Sequence, residues 1–403
     1  MIVESEVQVV EAVRTARERR TTLEIVGGGT RRAFGRPIEC DAVLDVSRLS
    51  GIVSYEPEEL ILTVKPGTPL VEIETLLSAN RQRLGFDPQD WSALLGSSGT
   101  ATIGGAISCN ADGPAAIRHG RARDHLLGIR AVNGFGEAFK AGGRVVKNVT
   151  GFDLPKLMCG AMGTLGVLTE LTFRVFPKPE ASKLFAIAGL TAKDGLALLR
   201  RIWSSPLEAS CLALLSAEIW AQVPQIERTE EPRFGRRFEE EPETLLNGCA
   251  AVIRLEGSPL SLIERESMMR AMFAELHPKE LAGASEIMRL IGSGTGFVDT
   301  LEDVWLQTQP PSACPGGSFS WVADWAGSRI WMRLVAGSNG AWERKAASLD
   351  GGAATLVRAS AQTRKRVQVF PPLDEPQAVL MHRVKAAFDP LGLFNPGRVY
   401  EGI

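Results

Sequence analysis

The chain has 403 residues, 44% of them hydrophobic and 23% charged, with 45 Lys and Arg against 47 Asp and Glu. That length exceeds what one core usually supports and predicts two domains, and the composition is ordinary for a globular protein. The near balance of charge, with no sustained basic block, excludes a nucleic-acid or membrane-surface partner held mainly by electrostatics.

The first residues, MIVESEVQVVEAVRTARERR, carry acids where a signal peptide would be basic and contain no apolar core segment. No stretch offers about eighteen uncharged apolar residues, so no membrane span is expected. Cys40, Cys109, Cys159, Cys211, Cys249 and Cys314 form no Cys-x-x-Cys pair. The expectation is reduced, mostly buried thiols in a cytoplasmic protein, without an iron–sulfur cluster in this chain.

In chain order, Ser5 to Gln8 fits a capping box, and Val9, Val10, Val13 and Ala16 fall on one face of the helix it starts. A strand over Thr22–Val26 runs into the loop Gly27-Gly28-Gly29-Thr30. Ala42–Val46, Gly51–Tyr55 and Leu60–Val64 read as further strands. Pro66-Gly67 turns the chain, Thr68 is the expected cap of the next helix, and Pro69 is its expected first residue. Leu70, Ile73, Leu76 and Leu77 would be the buried face of that helix.

From Gly96 to Gly166 lie 15 of the 41 glycines, which predicts short strands and many loops. The stretch Leu95–Asn110, LGSSGTATIGGAISCN, is too rich in Gly, Ser and Thr to fill a core. It suits a place where backbone N–H groups approach a large anion, because glycine has no Cβ to hold a ligand away. Thr102 is the expected cap of a short helix from Ile103, which would aim free N–H groups at the same spot as the first glycine loop. Two such loops predict a diphosphate held from two sides by uncharged donors. Farther on, Gly128–Asn133 and Glu137–Lys140 read as a hairpin, Asp153–Met158 as a helical turn, and Gly166–Phe176 as an alternating strand.

Pro177-Lys178-Pro179 is the expected domain boundary, giving 1–178, 179–360 and a C-terminal segment 361–403. Seven of eight Trp occur between Trp203 and Trp342, where core packing is the ordinary use of the rings. Helices are expected at Thr191–Trp203, Ser258–His277 and Asp299–Gln309. Strands are expected at Ser210–Ser216, Ala250–Glu256, Ser318–Asp324, Arg329–Val335 and Ala353–Ala359, an α+β pattern with an antiparallel sheet. Glu227–Glu243 reads as an exposed loop, and Glu375–Phe388 as a final helix before a rigid tail. The first glycine loop is no Rossmann fingerprint: the third glycine position is Arg32, and Pro37 interrupts any helix. Gly292-Ser293-Gly294-Thr295-Gly296 follows no strand and reads as a plain loop.

Taken together, GGGTRRAFGRP (27–37), LDVSRLSGI (44–52), VKPGTPL (64–70), GTATIGGAISCNADGP (99–114), VKNVTGFDLPKL (146–157), GTLGVLTELTFRVFPKP (163–179) and FDPLGLFNPGR (388–398) resemble the PCMH-type FAD-binding flavoproteins of the vanillyl-alcohol oxidase superfamily. The resemblance covers about residues 1–180 and the tail. Within that superfamily, VTGFDLPKLMCGAMGTLGVLTE is most similar to the FAD-binding E-type subunits of glycolate oxidases. It implies an α+β architecture, with two subdomains clasping FAD and an antiparallel cap domain. It further implies that Gly27, Gly28, Gly29 and Thr30, with Gly99, Thr102, Ile103, Gly104 and Gly105, hold the pyrophosphate. Asn110, Gly113 and Arg118 would lie toward the ribityl and flavin, Gly163, Thr164 and Val167 toward the adenosine half, and Asn395 by the isoalloxazine.

Several members of the family tether FAD through a histidine beside the first glycine loop. Thr30 stands there in this chain, so FAD is expected to be non-covalent. A late His-rich motif of related 2-hydroxy-acid dehydrogenases is absent, no metal site can be assembled, and no catalytic base is identified. His119 and His125 read as structural, and Lys147 and Arg118 as equally suited to surface charge or phosphate. The resemblance implies partners in a sister FAD-binding subunit and an iron–sulfur subunit, a small 2-hydroxy acid as substrate, and a cytoplasmic location or one at the inner face of the membrane through the complex. Two other readings of the same motifs are a self-sufficient FAD oxidoreductase of another small hydroxylated substrate and a non-catalytic assembly subunit.

Overall fold

The computed structural model describes residues 1–145, 151–223, 248–282, 284–293, 304–309, 320–334 and 353–403. Two compact units emerge. One comprises Met1–Gly113, Gly120–Lys178 and Ser360–Ile403; the other comprises Pro114–His119 and Pro179–Ala359.

The first unit opens on helix α1 (Glu6–Arg19). Ser5 accepts from Gln8 N–H at its start, Arg17 and Arg19 sit in its last turn, and Arg20 closes it at φ 53°. The return half of the capping box goes elsewhere, because the Gln8 side chain accepts from Glu4 N–H at 2.7 Å. Val9, Ala12, Val13 and Ala16 are the buried face, and Val10 is only partly covered. They pack on a parallel pair, β1 (Leu23–Val26) and β2 (Ala42–Asp45), together with Leu393 and Phe394 from the tail. This is the smaller of two cores.

The larger core lies against a five-stranded antiparallel sheet in the order β3 (Ile52–Glu56), β4 (Ile61–Val64), β8 (Val167–Arg174), β6 (Leu126–Val132), β7 (Ala138–Gly142). Helices α2 (Leu70–Ala79), α3 (Ser92–Leu95) and α4 (Ile103–Ser108) belong to the same unit. A two-stranded ribbon pairs β5 (Gln82–Arg83) with β9 (Phe176–Pro177). The expected alternation of β8 is not met. As a central strand it is buried on both faces, and only Glu170 and Arg174 are partly exposed.

Thr68 does not cap α2. Pro69 occupies the cap position without a side-chain bond, so the helix begins one residue later than expected. The Thr68 hydroxyl donates to Lys65 O at 2.7 Å and accepts from Gly51 N–H at 2.9 Å, tying the Pro66-Gly67 turn to β3. His125 is fully buried, with ring centroids 5.5 Å from Phe86 and 5.0 Å from Phe176.

Glu6 joins the two cores. Arg130 on β6 donates to it through Nε at 3.0 Å and through Nη2, and Thr169 Oγ1 on β8 donates at 2.6 Å. The Arg130 hydrogen bond holds the Glu6 carboxyl below its usual range despite the opposing effect of burial. A depressed carboxylate stabilises the fold above its unfolded pKa, and that contribution is lost as pH falls through the lowered folded value. Glu6→Gln is therefore expected to lower the melting temperature at neutral pH, with the gap to the unmodified chain closing as pH falls through and below the ordinary glutamate range. A gap that widens on acidification would count against this account.

The second unit is built on an eight-stranded sheet whose pairs, among the described residues, are all antiparallel. Its order is β13 (Lys279–Leu281), β10 (Ala181–Leu190), β12 (Cys249–Gly257), β11 (Cys211–Leu215), β15 (Trp321–Asp324), β16 (Arg329–Leu334), β14 (Val304–Gln309), β17 (Ala353–Arg358). Helix Ala192–Trp203, capped by Thr191, and helix Pro259–Met272, capped by Ser258, flank it. The helix expected over Asp299–Gln309 is a strand across 304–309, where pairing with both β16 and β17 overrides local helix preference. Gly292 is likewise helical, within Ala284–Ser293. Trp220, Trp321 and Trp331 are buried, while Trp203 is exposed. Cys314, Trp342, Lys147 and the Glu227–Glu243 stretch lie outside the described residues. No helix among the described residues is long and apolar enough to cross a membrane.

Candidate functional site

The end of β1 delivers Gly27–Arg32 to the rim of a cleft in the first unit. The cleft encloses about 750 Å³, part of it open to solvent. Gly27, Gly28, Gly29, Thr30, Thr102, Gly104, Gly105, Gly163, Val167 and Asn395 line it, as do Arg31, Arg32, Cys109, Met162, Gly166 and Arg398.

The two glycine loops touch. A Cβ on Gly28 would stand 1.6 Å from Thr100 O, and one on Gly99 would stand 1.7 Å from Gly28 O. Glycine at both positions lets two backbones meet, and the open space lies beside their contact. Thr102 caps α4 as expected, accepting from Gly105 N–H at 3.3 Å. The N–H groups of that first turn are not free, however. Ile103 N donates to Thr68 O at 3.0 Å and Gly104 N to Pro66 O at 2.8 Å. The expected grip by uncharged donors from both loops is corrected accordingly, because the carbonyls of the 66–68 turn already use the donors of the second loop.

The first loop is different. Among the described residues, the N–H groups of Gly27, Gly28, Gly29 and Thr30 meet no protein acceptor. Beside them Arg31 is 5% exposed. Its Nη2 donates to Gln89 O at 2.5 Å and its guanidinium lies 4.9 Å from the Trp91 ring, while Nε and Nη1 are buried without a partner. Burial works against the charged form of this arginine. Its burial could not be read from the sequence. The only available signal was its position directly after Thr30.

The tail closes the cleft. Asn395 Oδ1 accepts from Ile25 N–H at 2.9 Å, and Asn395 Nδ2 donates to Met162 O at 2.8 Å. Gly163, at φ 71°, leaves room for that amide: a Cβ there would lie 2.7 Å from Asn395 Nδ2. Arg398 Nη2 donates to the carbonyls of Arg31 at 3.0 Å and Arg32 at 2.9 Å. Arg398 is the last residue of the Asn-Pro-Gly-Arg motif, and that motif was the signal available for it.

The remaining candidates stand apart from the cleft lining. Gly99 is exposed, and Ile103 is fully buried in the larger core. Asn110 accepts from Arg123 N–H and from the Cys159 thiol, each at 3.3 Å. Gly113 N–H donates to Phe86 O at 2.9 Å. Thr164 Oγ1 donates to Ala161 O at 2.7 Å. Arg118 and His119 belong to the second unit, where Arg118 pairs with Glu208 at 2.8 Å. No group of three or more His, Cys, Asp or Glu able to hold a metal ion occurs among the described residues.

A family described as "FAD binding domain" matches residues 1–142, and one described as "FAD linked oxidases, C-terminal domain" matches residues 365–399. Glycolate oxidase subunit GlcE of Escherichia coli is 31% identical over 394 residues, covering 97% of this chain and 96% of the relative. The chain belongs to this FAD-linked oxidase family of PCMH-type flavoproteins. FAD is its cofactor, and it is similar along its whole length to a subunit of an oxidase. Glycolate oxidase subunit GlcD of Bacillus subtilis is 32% identical over 167 residues, 41% of this chain and 34% of that one. The fold matches that of 4-ethylphenol oxidase from Gulosibacter chungangensis at a TM-score of 0.69 and 14% identity, across 99% of this chain and 89% of that one.

The residues present suit this cofactor. A glycine loop with unused N–H donors and a buried, partly unpartnered arginine suits a dianionic diphosphate.

Proposed function

We propose that this chain is the FAD-carrying E-type subunit of a complex that oxidises glycolate, or D-lactate, to the 2-oxo acid. The observation that carries the reading is the match to GlcE over 97% of this chain and 96% of the relative, whereas the GlcD relative is matched over only 34% of its length. FAD supplies the two-electron acceptor. The chain's own part is to hold it: Gly27–Thr30 and Arg31 at the anionic portion, with Asn395 bracing the cleft between Ile25 and Met162. The substrate base and the cations for the carboxylate come from a sister FAD-binding subunit, electrons leave through an iron–sulfur subunit, and the assembly works in the cytoplasm or at the inner face of the membrane.

FAD is held without a covalent bond. No histidine lines the cleft among the described residues. Burial pushes the pKa of the Cys109 thiol up, so little nucleophilic thiolate is present. Acid precipitation is expected to release the flavin into the supernatant, and colour retained in the pellet would refute the non-covalent reading.

The functional test is a visible spectrum before and after glycolate, on the chain alone and on the chain purified with its sister subunit. The expected result is a yellow chain that glycolate bleaches only in the complex. Bleaching of the isolated chain would place the substrate residues here instead, and bleaching in neither sample would remove glycolate as the substrate.

A further inference from the structure

Three arginines line the cleft, and their surroundings differ. Arg32 pairs with Glu24 through Nε at 2.9 Å and through Nη2. Arg398 is spent on the carbonyls of Arg31 and Arg32, with its Nη1 3.7 Å from Glu24. Arg31 forms no ion pair among the described residues. The nearby carboxylate of Asp90 accepts from Ser92 N–H at 2.9 Å instead. The great majority of donors on arginines buried for structure are satisfied by protein. Here Nε and Nη1 are buried without a partner in a residue that lines the cleft, directly after loop N–H groups that also lack acceptors.

We propose that Arg31 is the charge partner of the diphosphate of the bound cofactor, its Nε and Nη1 completing the main-chain donors of Gly27–Thr30. This rests on FAD as the cofactor and goes beyond it by naming the cation and the part of FAD that it meets. Arg398 is a positioning residue in the same device. By occupying the carbonyls of Arg31 and Arg32, it keeps the acceptor side of the loop fixed while the donors remain free.

The test compares the unmodified chain, Arg31→Met and Arg31→Lys as flavin-free proteins, titrated with FAD, ADP and riboflavin at several KCl concentrations. ADP carries the diphosphate without the flavin, and riboflavin carries the flavin without a phosphate. Arg31→Met is expected to weaken FAD and ADP about 10- to 100-fold and leave riboflavin unchanged, with Arg31→Lys recovering part of the loss. KCl should weaken ADP binding to the unmodified chain more steeply than to Arg31→Met.

Equal FAD and ADP affinities in Arg31→Met would overturn the proposal while FAD binding to the unmodified chain keeps the cofactor reading intact. Loss of riboflavin with ADP unaffected would place Arg31 at the flavin and overturn it as well. Failure of the unmodified chain to bind FAD would instead strike the cofactor reading itself. Should Arg31→Met not fold, ADP binding to the unmodified chain that ignores KCl would still overturn the proposal.

Discussion

Gly28→Ala is expected to strip the chain of its flavin and destabilise the first unit. The new methyl would stand 1.6 Å from Thr100 O and 2.8 Å from the Thr100 carbonyl carbon. Both are backbone atoms, so no side chain can rotate away, and the two glycine loops must separate. Overpacking costs about 1–3 kcal/mol where neighbours can shift, and a backbone-on-backbone clash belongs at or above the upper end. At roughly 2–4 °C per kcal/mol for a unit of this size, the melting temperature should fall by about 6–12 °C. Gly29→Ala is the matched control. Its Cβ would meet nothing within 4 Å, but the residue sits at φ 77°, so the expected cost is only the left-handed penalty of about 1–2 kcal/mol. Calorimetry and the flavin content of the purified proteins read both variants. A Gly28→Ala protein that is as yellow and as stable as its parent would mean the loops are not in contact.

Asp389→Ala should be comparably severe by another route. Asp389 is 1% exposed, Lys385 is 6% exposed, and the two pair at 2.8 Å. Asp389 also accepts from Leu393 N–H at 3.0 Å and Phe394 N–H at 2.8 Å, while Lys385 Nζ donates to Thr164 O at 2.7 Å and Phe394 O at 3.1 Å. Removing the carboxylate leaves a buried cation and two buried N–H groups without their acceptor, a loss of about 3–5 kcal/mol. Lys385→Met should cost less, because Asp389 keeps both backbone donors. The functional consequence follows from Asn395, the residue after Phe394. Asn395 N donates to Leu23 O, and its side chain joins Ile25 to Met162, so loosening the tail opens the cleft at its far wall. Urea unfolding and FAD titration should both rank Asp389→Ala as worse than Lys385→Met. The reverse order would show that the ammonium, not the carboxylate, organises the tail.

Much of the local structure was legible because its causes lie within a few residues. Ser5, Thr102, Thr191, Ser258 and Asp374 cap the helices that follow them, each accepting from an N–H three residues ahead. Thr68 is the exception. Its hydroxyl found Gly51, 17 positions away, and left α2 uncapped. The strand over 304–309 failed as a sequence reading for a related reason, since its identity comes from neighbours at 329–334 and 353–358 rather than from its own residues.

The amino-acid order by itself determined the glycine loop after a strand, the second glycine-rich stretch, the Asn-Pro-Gly-Arg tail and, through them, an FAD protein. Only the tertiary structure decided which donors are left for the ligand. Pro66 and Thr68 bring carbonyls to α4, Arg398 takes the carbonyls of Arg31 and Arg32 from more than 360 residues away, and Arg31 is buried with two nitrogens unclaimed. The physical reason is that a backbone group's capacity to donate is a local property. Whether it remains available depends on which acceptor the fold places opposite it.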